Sequence, residues 1–194
     1  MLATGINALF LGFDISVNML KTAKKSVDNS RVELVAADGF KIPLRQEARF
    51  DLIHIDSVLH HLVGSTRNKS MKLANLFCNQ VIDRLSENGS LVVEEVYYVS
   101  YLFPTISSSL IFYGLKLLNL LHIDASRIMN EFNPGLEVNF LGVKEIEKLL
   151  GSYGTVYLIK KTPWPRPKLY RFLLLKDLGH ITYLVTVPSL NAAK

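Results

Sequence analysis

Three aspartates stand where apolar runs stop. Asp14 closes "ALFLGFD", Asp38 closes "VELVAAD" and Asp56 closes "FDLIHID". A carboxylate offers two acceptor oxygens, so an acid at such a place suits a ligand with paired donors, such as vicinal hydroxyls, or an amino group. A turn-forming aspartate that caps a helix is the competing reading. Ile15 follows the first acid, and Gly39 and Phe40 follow the second. Glycine lets backbone come close to a flat ring, and Phe40 offers a face for it to pack on. Asp51 precedes its apolar run and reads as a solvent-facing or turn residue. Next come two adjacent histidines, His60 and His61, which cannot point the same way from a strand or a helix. One of them facing a cleft is a candidate base for an N–H or O–H; the other is a packing or surface residue. Glu94 and Glu95 end another apolar run, and alternation along a strand sends one toward a cleft and one toward solvent.

The elements that must position these residues are legible in outline. Ile6–Phe13, residues 32–38, 50–57 and 90–96 read as short buried strands. Ser16 is a plausible N-cap for a helix in which Val17, Leu20, Ala23 and Val27 recur at helical spacing, with lysines opposite. "DNS" at 28–30 breaks that helix. Residues 66–86 read as a longer one, with Ala74, Phe77, Val81 and Leu85 on one stripe, stopped by "ENG". Strands alternating with helices at this spacing predict an α/β fold, a Rossmann-like, mostly parallel sheet with helices on both faces and right-handed crossovers. In such sheets ligands bind beyond the carboxyl ends of the strands, which is where Asp14, Asp38 and Asp56 fall.

Length and composition bound the reading. A chain of 194 residues with 49% hydrophobic and 20% charged side chains predicts a single domain, 1–194, with a sizeable core. Net charge is +5, too diffuse for a dedicated nucleic-acid binder, although it admits an anionic partner. The single cysteine, Cys78, excludes an intrachain disulfide and a cysteine metal cluster, and its place on the inner stripe of the 66–86 helix makes it a small core residue. Two histidines without a further ligand cluster argue against a metal site. The start has no secretory leader pattern, so the expected compartment is the cytoplasm.

Four stretches, in order, resemble the class I, Rossmann-like S-adenosylmethionine-dependent methyltransferases with small-molecule substrates. "LGFDISVNML" resembles that family's second strand and following helix, whose acid binds the ribose hydroxyls. "AADGFKIPL" resembles the third strand end, whose aspartate contacts the adenine amino group. "FDLIHIDSVLHHL" resembles the fourth strand and the segment beside the methionine moiety. "VIDRLSENGSLVVEE" resembles the next helix, turn and strand. The resemblance covers residues 6–96 and implies S-adenosylmethionine as cofactor, with Asp14, Ile15, Asp38, Gly39, Phe40 and Asp56 around it and His60 or His61 as catalytic candidates. It implies methyl transfer to a small-molecule acceptor, in which alignment of nucleophile and methyl does most of the work. The family's first strand and its Gly-x-Gly loop should precede Ile6, yet Gly5 is the sole glycine there. The expectation is an N-terminally truncated or degenerate version, with open strand edges and weakened activity. A catalytically inactive scaffold or partner subunit is the alternative. A nicotinamide-dependent dehydrogenase, which also places an acid at a strand end, needs its own glycine fingerprint.

Beyond residue 96 the alternation stops. Residues 97–141 read as an apolar insertion, with "YYVSYLFPTISSSLIFYGLKLLNLLHID" as a helical cap over a hydrophobic acceptor. A membrane span, diluted by Pro104, Ser107–Ser109, Lys116 and Asn119, and an interfacial segment in peripheral membrane contact are the other readings. Residues 142–194 read as a C-terminal amphipathic helix, with Val143, Ile146 and Leu149 inward, and two late strands, 155–161 and 180–188. Between these strands a proline-rich turn leads into a helix. The basic, aromatic stretch of Lys160, Lys161, Trp164, Arg166, Lys168, Tyr170, Arg171 and Lys176 reads as a solvated edge, with RNA or phosphate binding as the alternative.

Overall fold

The structure, a computed structural model, describes residues 8–27, 31–127, 135–165 and 170–187. Gly5, the beginning of the strand read from Ile6, the "DNS" break, Arg166 and Lys168 lie outside the described residues. The chain forms two compact units, residues 1–48 and 49–194.

In the first unit β1 (Phe10–Asp14) pairs in parallel with β2 (Val32–Ala36), and α1 (Val17–Ser26) connects them. Both strands are short apolar runs bounded by turn residues, as their composition requires. Ser16 caps α1 as expected: its Oγ accepts the Met19 N–H at 3.3 Å. Leu20 and Ala23 are half-buried and the lysines exposed, whereas Val17, at the helix start, is 52% exposed.

The second unit holds a four-stranded sheet in the order β3-β4-β6-β5, from β3 (Phe50–Asp56), β4 (Leu85–Ser100), β5 (Thr155–Pro163) and β6 (Leu175–Thr186). β3 and β4 are parallel, but β6 is antiparallel to both β4 and β5, so the sheet is mixed. α2 (Arg67–Ile82), α3 (Ile106–Leu120) and α4 (Val143–Gly151) pack on β4. The predicted stripe of α2 is buried at Ala74, Phe77 and Val81, together with Cys78, and Ile146 and Leu149 of α4 face inward as predicted. Glycine is required at both ends of the β5–β6 ladder. A Cβ at Gly154 would lie 2.2 Å from the Thr186 carbonyl oxygen, and one at Gly179 would lie 2.1 Å from that of Thr162.

Three sequence expectations are corrected. "ENG" does not end α2, which stops at Ile82; it lies inside β4, where the register shift between Phe50 and Leu52 takes up the extra residues. Residues 97–100 continue β4 rather than opening a helical insertion. Glu95 to Tyr98 are buried in succession, so both strand faces are covered and no alternation betrays the strand. No helix occupies 170–179: Leu175 pairs with Ser100, and Asp177, Leu178 and Gly179 pair with Val99, Tyr98 and Tyr97. α3 follows β4, and its inner face of Ile111 and Leu115 packs with Val96, Tyr98, Val138 and Phe140 in one core cluster. Among the described residues no helix is long and apolar enough to cross a membrane.

Candidate functional site

Asp14 ends β1 opposite Ala36, and Asp38 lies two residues past the end of β2, so both acids stand at the carboxyl end of this parallel pair. Each closes its own turn. Asp14 Oδ1 accepts the Ser16 N–H at 2.7 Å, and Asp38 Oδ1 accepts the Phe40 N–H at 2.9 Å. The turn reading of these aspartates is therefore correct as far as it goes. In both carboxylates Oδ2 has no hydrogen-bond partner among the described residues. Asp14 is half-buried and Asp38 exposed; Gly39 and Phe40 are half-buried, and Ile15 is 76% exposed beside Asp14.

In the second unit Asp56 ends β3, exposed, and its Oδ1 accepts the Ser57 hydroxyl at 2.9 Å. Ser57 has φ +54°, a left-handed conformation unusual for a non-glycine residue, and its N–H donates to the Glu94 carbonyl. The chain then makes a single 3₁₀ turn, Leu59–His61. The two histidines part company here: His60 is buried and His61 exposed, with ring centroids 4.1 Å apart.

Glu95 lies beneath that turn with no exposed surface. Its Oε2 accepts the N–H groups of Leu59 at 2.8 Å and His60 at 3.3 Å. Its Oε1 accepts the Val96 N–H at 2.6 Å and lies 2.5 Å from His60 Nδ1. A buried carboxylate is tolerated only with such a set of donors. The charge is felt by its neighbours: burial, with a contribution from Glu95, pushes the Cys78 thiol up to about 12. Phe140 covers His60, ring centroids 5.4 Å apart, and stacks on Tyr98 at 4.3 Å. The Asn139 N–H donates to the His60 carbonyl, and the buried Asn139 Oδ1 has no partner.

Glu94 belongs elsewhere, 3.1 Å from His180 Nδ1. Glu95 is enclosed and taken up by backbone donors and the His60 ring, so it faces neither cleft nor solvent, whereas Glu94 keeps 32% of its side chain exposed beside a neighbouring strand. Sequence reasoning also missed Arg67 at the start of α2. Its Nη2 donates to both carboxylate oxygens of Glu145 of α4, at 2.7 and 2.8 Å, and its Nη1 donates to the Phe140 carbonyl at 3.1 Å. An arginine at the first position of an otherwise amphipathic helix gives no local sign of a partner 78 residues away. In the basic stretch Lys161 pairs with Asp177 at 2.8 Å and lies over the Tyr97 ring, while Lys160 and Lys176 are exposed. Burial alone would raise the Asp177 carboxyl, but hydrogen bonds from Lys161 and Tyr97 outweigh it and hold the group below its usual range. A groove of about 370 Å³ beside Tyr98, Leu102, Gly142 and Lys161 contains none of the predicted site residues. Among the described residues no three His, Cys, Asp or Glu side chains gather as a metal site.

Residues 1–93, which carry all three strand-end aspartates and both histidines, match a family described as a methyltransferase domain. That match covers a little under half of the chain. No curated protein sequence matches the chain. The methyltransferase fold is nevertheless widely shared among solved structures. NodS, an N-methyltransferase from Bradyrhizobium japonicum WM9 solved with S-adenosyl-L-homocysteine, aligns over 93% of this chain and 67% of its own, with 12% identity and a TM-score of 0.54. The DhpI–SAH complex aligns over 93% of this chain and 66% of its own, with 13% identity and a TM-score of 0.54. The CurJ carbon methyltransferase aligns over 93% of this chain but 42% of its own, with 14% identity and a TM-score of 0.54. The chain thus spans less than half of CurJ. An N-methyltransferase and a carbon methyltransferase share this fold equally well, so the fold leaves the acceptor atom open.

Proposed function

We propose that this chain binds S-adenosylmethionine and transfers its methyl group to a small-molecule acceptor. The observation that carries the reading is the pair of carboxylates at the carboxyl end of β1 and β2, each with one oxygen engaged by its own turn and the other without a partner among the described residues. Their acceptor oxygens fit the hydroxyl and amino donors of the cofactor. Asp14 would hold the ribose hydroxyls through Oδ2, and Asp38 would accept from the adenine amino group. Ile15, Gly39 and Phe40 would line the nucleoside. The bound cofactor supplies an electrophilic methyl on a positively charged sulfur. The chain's own contribution is to align the acceptor and exclude water.

Residues 6–96 form the cofactor-binding part in this reading, and 97–141 contribute to acceptor choice. α3 carries an outer row of Leu110, Tyr113, Leu117 and Leu120, all at least 44% exposed, which favours an apolar acceptor or peripheral contact with an apolar surface. With a single, buried thiol, the cytoplasm is the proposed compartment.

Calorimetric titration of folded, monodisperse protein with S-adenosylmethionine and with S-adenosylhomocysteine tests the reading. Saturable binding with one site supports it. Absence of binding to both leaves the chain as an inactive, methyltransferase-like scaffold.

A further inference from the structure

We infer that the outer face of α3, with the loop before it, seats on an anionic lipid surface, so that the second unit docks peripherally on a membrane. The inference needs neither the cofactor nor the first unit. α3 buries Ile111, Phe112 and Leu115. At 3.6 residues per turn, Leu110, Tyr113, Leu117 and Leu120 fall on the opposite arc. That arc is where a helix of a globular fold carries its charged and polar residues. Here it carries none, and Ser109 and Lys116 stand at its border, half-buried. Residues 101–123 contain no acid and a single lysine. Two further apolar projections extend the face. Tyr101, Leu102 and Phe103 are each at least 52% exposed, and the Phe103 carbonyl accepts the Ile106 N–H, which ties their loop to the first turn of α3. Phe172, 80% exposed, belongs to the turn whose Leu174 carbonyl accepts the Tyr101 N–H. Leucine with tyrosine and phenylalanine is the composition by which proteins settle at the boundary of headgroups and acyl chains.

Length and charge choose the occupant. The 15 residues of α3 extend about 22 Å, short of the roughly 30 Å of a hydrocarbon core, so the helix lies along the surface and does not cross it. Cations stand beside the apolar projections. Lys144, exposed, lines the same groove as Leu102 and Pro104. Arg171 precedes Phe172 and donates to the neutral Tyr170 hydroxyl. Lys176, exposed, follows Leu175, the partner of Ser100. None of these three cations is in an ion pair among the described residues. The nearby acids are engaged: Glu145 by Arg67, Glu147 by the Tyr183 hydroxyl and Asp177 by Lys161. A second copy would set like patch against like patch, cations included, between chains of net charge +5. An anionic bilayer brings the opposite charge together with an apolar interior. Apolar insertion and basic attraction are each weak alone and hold a protein at a membrane in combination.

Vesicle flotation of the intact chain tests the inference. Vesicles of phosphatidylcholine with about 30 mol % phosphatidylserine should carry the chain upward in the gradient, and pure phosphatidylcholine vesicles should bind it about fivefold less or weaker still. Salt at about 0.5 M should release most of the bound chain. The double variant Leu110→Gln, Leu117→Gln leaves the charge unchanged and keeps good helix formers at exposed positions. It should bind the anionic vesicles about tenfold more weakly while unfolding in urea at the parent's midpoint. Lys144→Glu combined with Arg171→Glu should abolish the preference for phosphatidylserine. Absence of flotation with anionic vesicles, equal flotation with both vesicle types, or flotation unchanged in the double leucine variant overturns the inference. A lipid-free dimer in sedimentation equilibrium that the leucine variant dissociates assigns the face to a second copy and overturns it too. Calorimetry with S-adenosylmethionine in the absence of lipid reads the methyl-transfer proposal separately, so either can fail alone.

Discussion

The two units hold their acids in opposite ways. No described residue of 8–48 is fully buried, and Asp14 and Asp38 are each fixed by a hydrogen bond to backbone two residues on. In the second unit Glu95 is wholly enclosed, and its bonds to Leu59 and His60 span 36 and 35 residues. Arg67 and Glu145 are 78 residues apart. Removing an acid of the first unit therefore disturbs one turn. Removing one from the second strands polar groups in a low-dielectric interior. The first arrangement leaves oxygens over for a ligand; the second leaves almost nothing over except one imidazole nitrogen.

The contrast breaks or sharpens in order of expected effect. Glu95→Ala should cost about 4 kcal/mol of unfolding free energy, because three N–H groups and the His60 ring lose their acceptor together. A loss below about 1 kcal/mol in urea unfolding would erase the distinction between the units. Arg67→Ala should cost about 2 kcal/mol in the same measurement, by leaving the Phe140 carbonyl without its donor and Glu145 with only the Gly142 N–H. Asp14→Asn and Asp38→Asn should behave in the reverse sense. Asparagine keeps an oxygen for the turn, so stability should change by less than about 0.5 kcal/mol. Affinity for S-adenosylmethionine, read by calorimetry, should fall by about tenfold for each.

The smallest effect belongs to pH. Asp177, held below its usual range in the fold, contributes stability that is fully present above the unfolded carboxyl value of about 4 and is lost as pH falls through the lower, folded value. The difference in urea midpoint between the parent and Asp177→Asn should accordingly shrink on acidification from pH 6 to pH 3. A constant difference across that range would assign the Lys161 and Tyr97 contacts no electrostatic role.

The same contrast explains what could be read from sequence. β1, β2, β3 and α2 were legible because apolar spacing and flanking turn residues are local signals, and so was the Ser16 cap. Asp14 and Asp38 were legible for the same reason: a turn and a strand end lie within a few residues of each acid. The far end of β4 was not, since burial on both faces removes the period of two by which strands announce themselves. The beginning of β6 was missed because its identity as a strand comes from Ser100 and Val99, some 75 residues earlier, as the pairing of Leu175 with Ser100 and Asp177 with Val99 requires. His60 and His61 were equivalent letters until the fold buried one. The partnership with Glu95 had one usable sign, a charged pair inside "LVVEEV": an acid in so apolar a strand demands a partner somewhere.

Glu95 carries one more consequence. Its carboxylate stands in for the backbone carbonyls that a longer helix or a neighbouring strand would have offered to Leu59 and His60. Amide protons in a three-residue turn ordinarily trade with solvent deuterium within moments, as loops do. Here the Leu59 and His60 amides can open only when the interior around β4 opens, so they should keep their hydrogens about as long as the central strand does. A stretch that looks like connecting loop would then share the lifetime of the unit's most durable element.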